Sequence, residues 1–363
     1  MDTIRVGVVG VGMISDIFIE NMINTFTSLE VAGCTARNME HIKAKAEKYN
    51  ITPMTIDEMI GDNTINMIVN LTPPDVHYEI IKRSLESGKH VYTEKPLALG
   101  YGQAKELLNL AESRDLLLGC SPDTFLGSGV QTAIEAVNSG MIGDVTGFTV
   151  MLNRGLDFLY EYIGFIIKPG GGIGYDFGVY ALTALFSILG PAEEVCGFMQ
   201  TNRPFREYKN PMMPKYGQQY KIENENLIAA AIKMRNNVIG TVMFNGDSVF
   251  PEKPYISLQG TQGMLYLPDP NGFGGDCVYV PAMSESDRIL PVHHKYSKDS
   301  RGIGAADMAL AIREGRAHRA SGAMACHLLE LLDGIANSCE TKTYTTMASD
   351  FIKPAPLTGK EVF

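Results

Sequence analysis

Apolar residues in the first third of the chain fall in short blocks separated by amphipathic stretches. Residues 4–9 form an apolar run that ends at glycines, and helix-like sequence follows to about Phe26. Residues 29–35, 66–71, 90–93 and 116–119 repeat the strand pattern. Residues 40–49, 76–85 and 103–113 carry the helical one between them. Strands alternating with helices of this length predict right-handed crossovers and a parallel sheet. The rhythm changes near residues 121–127. One more helix is expected over 127–138, and then the strand-like runs lengthen, at 145–152, 227–234, 238–244, 255–259 and 264–267. The turn at Arg235-Asn236-Asn237 reads as a hairpin, so this half is expected to hold a mixed or antiparallel sheet in an α+β arrangement. Further helices are expected over 175–189, 305–314 and 321–338. Residues 202–220, rich in proline, lysine, methionine and glutamine, lack periodicity and read as a long loop.

A chain of 363 residues is long for one core, and the change of rhythm divides it into two expected domains, 1–122 and 123–363. The net charge of −10 leaves no basic stripe for phosphate backbones, which argues against a nucleic-acid partner. The six cysteines are scattered and form no C-x-x-C pair, the pattern of reduced thiols. The N-terminus shows no signal-peptide pattern, and no apolar run approaches the roughly 20 residues a membrane span needs. These features predict a cytoplasmic protein with no membrane partner.

The first chemical motif lies where strand one meets helix one. In Gly10-Val11-Gly12-Met13-Ile14-Ser15, Gly10 permits a tight turn and Gly12 lets the backbone approach a pyrophosphate, which then rests on a helix N-terminus. Ser15 stands where a third Gly or Ala is usual. The strand–loop–helix context favours a dinucleotide site over a plain glycine turn. At the end of strand two an acidic residue would hold the ribose hydroxyls. The chain has Thr35-Ala36-Arg37-Asn38 instead. Arg37 suits a 2′-phosphate, so NADP(H) is favoured over NAD(H). The plainer reading of Arg37 is a residue that stacks on the adenine or faces solvent.

The second motif, Glu94-Lys95-Pro96, follows a strand at the end of the sheet where ligands gather. Lys95 is expected to point into the crevice, and the peptide before Pro96 is a candidate cis bond.

With these motifs, Thr72-Pro73 followed by His77, and Gly170-Gly171-Gly172 leading to Asp176, the sequence resembles the glucose–fructose oxidoreductase and inositol dehydrogenase family (Gfo/Idh/MocA). The resemblance spans essentially the whole chain. It implies an N-terminal Rossmann domain, a doubly wound parallel sheet. It also implies a second domain whose large open sheet covers the active site and often forms a subunit interface, hence a homodimer or homotetramer. Gly10, Gly12, Met13, Ile14, Arg37, Thr72, Pro73, His77, Glu94 and Lys95 then make up the expected cofactor site, with His77 structural rather than a base.

Asp176 and Tyr180 lie four apart and would share one face of a helix. Many family members carry His where this chain has Tyr180, and the sequence is similar to a Tyr-containing branch. A free phenol titrates near 10, and a neighbouring lysine cation is expected to lower that value. Lys95, Tyr180 and Asp176 are thus the expected catalytic residues, with Asp176 orienting either the substrate or Lys95. Asn153, Arg154 and Asp157 follow a strand and are candidates to reach the substrate, with a solvated loop as the plainer reading. His293-His294 lacks companions at ligand spacing, so no metal is expected. The predicted activity is hydride transfer between a nicotinamide and the carbinol or carbonyl carbon of a sugar, polyol or related small polar substrate. Two alternatives stand beside it: a non-catalytic dinucleotide-binding regulator, and a glycosidase that uses NAD as a transient oxidant.

Overall fold

The computed structural model describes residues 3–160, 162–248, 254–284, 286–361 and 363. Six parallel strands open the chain: β1 (Ile4–Val9), β2 (Leu29–Thr35), β3 (Thr52–Pro53), β4 (Met67–Asn70), β5 (His90–Thr93) and β6 (Leu118–Cys120). Their order in the sheet is β3-β2-β1-β4-β5-β6. This is the doubly wound Rossmann order, with its reversal between β1 and β4. Strands such as Met67–Asn70 are buried at every position. Helices cover both faces, which is why the strands read as continuous apolar runs.

The second sheet is built differently. It comprises β7 (Val145–Asn153), β8 (Ala192–Gln200), β11 (Leu227–Met234), β12 (Ile239–Asn245), β13 (Tyr255–Gly260), β14 (Gly263–Tyr266), β15 (Val278–Pro281), β16 (Arg288–Ile289) and β17 (Thr345–Thr346). Their order is β16-β15-β14-β13-β7-β12-β11-β8-β17, antiparallel except for the pair β7 and β12. Burial alternates along β11, so one face packs on the core and the other is open. Ile228, Ile232, Val242, Phe244 and Val150 lie on the buried face.

Residues 202–220 depart from the long loop that the sequence predicts. β9 (Phe205–Glu207) and β10 (Gln219–Lys221) pair as a two-stranded ribbon. Buried Arg206 clamps it to Asp157 and Asp247. The strands are three residues each, too short for an alternation to show.

The chain ends by returning to the first sheet. Cys120 N donates to Ala320 O (3.0 Å), and Ser28 Oγ donates to Ala306 O (3.1 Å). The helix Gly322–Thr341 packs against β6, β8 and the helix Tyr101–Ser113, and so touches both sheets. No helix among the described residues is long and apolar enough to cross a membrane.

Candidate active site

Residues 10–14 join β1 to the helix Ser15–Asn24 at the point where the strand order reverses. Gly10 has φ +102°, and a Cβ there would lie 2.7 Å from the Leu71 carbonyl. Only glycine combines that torsion with that approach. Gly12 faces open space, with nothing within 4 Å of where its Cβ would stand. Ser15 is buried, and its Oγ donates to Gly12 O (2.6 Å), so the unusual third residue locks the loop from below. No side chain caps the helix N-terminus. An open backbone cradle against an uncapped helix start fits a pyrophosphate. Met13 is exposed and Ile14 half-buried at the rim. Arg37, just past β2, is exposed and makes no hydrogen bond or ion pair among the described residues. Its neighbour Thr35 accepts from Gly10 N (2.8 Å), which ties the end of β2 to the glycine loop.

Beneath the next loop lies buried Asn70. Its Oδ1 accepts from Thr72 Oγ1 (2.7 Å) and its Nδ2 donates to Thr93 Oγ1 (3.1 Å). Pro73 is exposed and leads into a short turn. His77 corrects the expected cofactor set. It is fully buried, with Nδ1 2.7 Å from Pro96 O and Nε2 2.6 Å from Thr72 O. Both nitrogens are taken by backbone, and burial holds its pKa below the usual imidazole value. His77 ties the Thr72 and Pro96 loops together and presents no atom to a ligand.

Glu94 and Lys95 follow β5, with Glu94 N donating to Asn70 O (2.8 Å). The peptide between Lys95 and Pro96 is cis, as the sequence anticipates, and so is that between Ser121 and Pro122. Lys95 Nζ donates to Asp176 Oδ1 (2.5 Å) and to Asp176 O (3.0 Å). The two side chains are each 12% exposed. The ammonium also stands 5.3 Å from the centroid of the Tyr180 ring. Burial works against its charge, but Asp176, Tyr180 and Glu94 more than offset it, and the net shift is upward. Lys95 therefore stays a cation. Two of its three protons are engaged by Asp176, leaving one for a substrate oxygen.

The segment holding Asp176 and Tyr180 differs from the regular helix expected. Gly174–Gly178 is a π turn, and α-helix follows over Val179–Leu189. A Cβ on Gly178 would meet the Phe244 ring at 2.6 Å, and one on Gly174 would meet Ile228 at 2.7 Å. These glycines press the wide turn against the second sheet. Tyr175 fixes it from the other side, its hydroxyl donating to Asp333 Oδ1 (3.1 Å) on the helix Gly322–Thr341. π turns of this kind recur at functional sites.

Tyr180 also corrects its expected ionisation. Lys95 does lower its pKa, but burial acts more strongly in the other direction, and the phenol is raised above its ordinary value. No hydrogen bond links Lys95 to the Tyr180 hydroxyl; the cation lies over the ring. The phenol thus keeps its proton at neutral pH.

Three participants escape sequence reading. Asp123 is buried and accepts from Gly302 N (2.8 Å) and Gly304 N (3.1 Å) through one oxygen. Burial, aided by the charge of Glu94, pushes it up to about 6 against the pull of those amides and of Arg301. Arg301 is held by Asp299 (2.5 Å) and Asn271 (3.0 Å), and its charge favours the phenolate of Tyr180. Glu225 lies under the glycine run, and its Oε1 is buried without a partner. Desolvation pushes Glu225 up to about 8 against backbone amides that favour its charge. Arg301 sits over a hundred positions from Tyr180, and Asp123 and Glu225 also lie apart in sequence from the motifs they support, with no local pattern to reveal them.

Other candidates resolve plainly. Asp157 is engaged by Arg206. His294 pairs with Glu135 (3.1 Å), and no group of three or more metal-ligating side chains occurs among the described residues.

Comparison with known proteins places this geometry in a family. Residues 4–121 match the model described as "Oxidoreductase family, NAD-binding Rossmann fold", and residues 130–266 match the GFO/IDH/MocA C-terminal domain. An uncharacterised oxidoreductase of Schizosaccharomyces pombe is 31% identical over 208 residues, 56% of each chain. A scyllo-inositol 2-dehydrogenase (NADP(+)) of Bacillus subtilis is 23% identical over 154 residues, 42% of this chain and 43% of its own. The chain thus spans about half the length of these relatives. The structure of levoglucosan dehydrogenase in complex with NADH superposes with a TM-score of 0.83 at 17% identity, covering 96% of this chain and all of that one (100%), a likeness of fold.

Proposed function

The chain belongs to the Gfo/Idh/MocA oxidoreductases, and we propose that it is an NAD(P)-dependent dehydrogenase or reductase acting on the carbinol or carbonyl carbon of a sugar, polyol or related small polar substrate. The observation that carries this reading is the buried Lys95–Asp176 pair set against Tyr180. A bound nicotinamide supplies the hydride acceptor or donor. The loop 10–14 would hold the pyrophosphate, with Thr72, Pro73, Glu94 and Lys95 lining the nicotinamide end.

The protein's own residues divide the remaining work. Asp176 fixes the ammonium of Lys95 by two hydrogen bonds. Lys95 offers its third N–H and its charge to the substrate oxygen, where negative charge develops as the carbinol proton leaves. Tyr180 exchanges that proton at Oη, as donor in the reductive direction and as acceptor, once ionised, in the oxidative one. A fixed buried cation–carboxylate pair serves chemistry better than mere dinucleotide sensing, which favours an enzyme over a regulator. The direct test follows dihydronicotinamide absorbance while a panel of aldoses, alditols and cyclic polyols is presented with each dinucleotide. Net change with at least one substrate supports the reading. Tight cofactor retention with sugar release from a glycoside but no net change would favour the glycosidase alternative.

Arg37 carries the preference for NADP(H). The supports are its exposure, its position past β2 and the lack of a carboxylate in residues 35–38. Arg37→Ala is expected to weaken NADPH binding by about tenfold or more while changing NADH binding little. Equal losses, read by titration of tyrosine fluorescence, would remove Arg37 from the 2′-phosphate.

The open face of the second sheet supports self-association. Phe198, Ala229, Met243, Met151 and Tyr255 lie in one register row across five strands. Phe198 is 71% exposed, Met151 42% and Tyr255 43%. A contiguous apolar row of this kind marks an interface. The protein is expected to run at no less than twice its chain mass in sedimentation equilibrium, and Met151→Glu with Phe198→Glu to run as a monomer. A native monomer would overturn the assignment.

A further inference from the structure

We infer that the substrate bears a carboxylate, and that Arg154 receives it at the edge of the active site. This rests on the hydride-transfer reading and narrows its substrate class to sugar acids such as aldonates and uronates.

Arg154 directly follows β7, with its backbone N donating to Asn245 O (2.9 Å), where β7 and β12 end side by side. Its guanidinium carbon stands 4.2 Å from the centroid of the Phe177 ring. Phe177 follows Asp176 in the π turn, so the guanidinium rests on the same short segment that holds Lys95. Phe177 occupies the face of the guanidinium and leaves the edge, where the N–H groups lie, for other partners.

Those N–H groups are not used by the protein. Arg154 Nε is buried and donates to nothing, and no hydrogen bond or ion pair of this side chain occurs among the described residues. The other arginines that line buried regions are matched. Arg206 pairs with Asp157 and Asp247, Arg301 with Asp299, and Arg316 and Arg319 with Asp307. The acid nearest to Arg154 in sequence, Asp157, is the one engaged by Arg206. A half-buried cation without a carboxylate of its own, at the edge of a site whose lysine is already neutralised by Asp176, favours an anionic ligand group. The planar fork matches a carboxylate by two parallel hydrogen bonds. A neutral polyol would accept from the fork but leave its charge unbalanced.

The test compares matched acids and neutral sugars by thermal unfolding of the NADH- or NADPH-loaded protein. The probes are D-gluconate against D-sorbitol, D-galacturonate against D-galactose, and glucose 6-phosphate as the phosphate arm. At least one carboxylate is expected to raise the unfolding temperature where its neutral partner does not. Arg154→Gln is expected to weaken that response by about tenfold or more, and Arg154→Lys to restore part of it, with dinucleotide titration unchanged in both. The same Arg154-dependent response is expected in Lys95→Ala, which separates binding from turnover. Equal responses to acids and neutral partners, a response that survives Arg154→Gln, a response to the phosphate alone, or none at all overturns the inference. Net reduction or oxidation of neutral sugars alone would leave the hydride-transfer reading standing and this inference fallen. Acid binding through Arg154 without any change in nicotinamide absorbance would do the reverse.

Discussion

Lys95→Ala is expected to lower kcat/KM by about 1000-fold or more while leaving dinucleotide affinity within a few-fold of the native value. The Lys95 ammonium carries three protons on Nζ. Asp176 takes two, through Oδ1 and its own carbonyl, and fixes the direction of the third. A substrate oxygen that gains negative charge at that point loses its nearest donor and its nearest cation in the variant. The loop 10–14, which would hold the pyrophosphate, is a separate segment between β1 and the helix Ser15–Asn24, so binding should persist. The substitution also strands Asp176, buried beside an empty stem. Removing one partner of a buried pair destabilises by about 3–5 kcal/mol. Lys95→Met with Asp176→Asn removes both charges and should recover most of the stability without recovering activity. Near-native turnover in either variant, measured by dihydronicotinamide absorbance, would end the catalytic assignment.

Tyr180→Phe is expected to reduce kcat by about 100-fold or more. The ring remains, so the seat of Lys95 above it is kept and only the hydroxyl is lost. The native pH profile follows from the sign of the shift. Burial raises the phenol above its ordinary value, so the proton is held throughout the neutral range. Oxidation, which needs the phenolate, should accelerate with rising pH by up to about tenfold per unit. Reduction, which needs the phenol, should be level across neutrality and fall only in strong alkali. Tyr180→Phe should flatten both profiles. A variant that keeps the native rate and slope would place the proton on another group.

Much of this architecture was legible because it is local. β1, the glycine loop and the helix after it follow one another directly, and each has its own period or turn residue. Lys95 could be found because a charged pair directly after a buried strand has few places to point. The ionisation of Tyr180 could not be read, because it depends on how completely residues distant in sequence exclude water. Burial won over the lysine cation, and sequence spacing carries no measure of that contest. The π turn was hidden for a related reason. Gly174 and Gly178 look like helix-opening glycines until Ile228 and Phe244 press on them from the second sheet. β8 has weak alternation, with Glu193 and Glu194 near its start, β15 is only four residues long, and the edge strands β16 and β17 are two residues each. Arg301, Asp123 and Glu225 meet the site only through the return of the chain and the packing of both sheets.

The most direct test of the account is a titration of the purified protein with NADPH and with NADH. The chain has no tryptophan, so binding is followed by quenching of tyrosine fluorescence and by energy transfer to the dihydronicotinamide. Saturable binding of both is predicted, tighter for NADPH. Binding of neither, with no dinucleotide released into the supernatant on denaturation, would contradict the account at its base: the open backbone at Gly12 would then be only a turn.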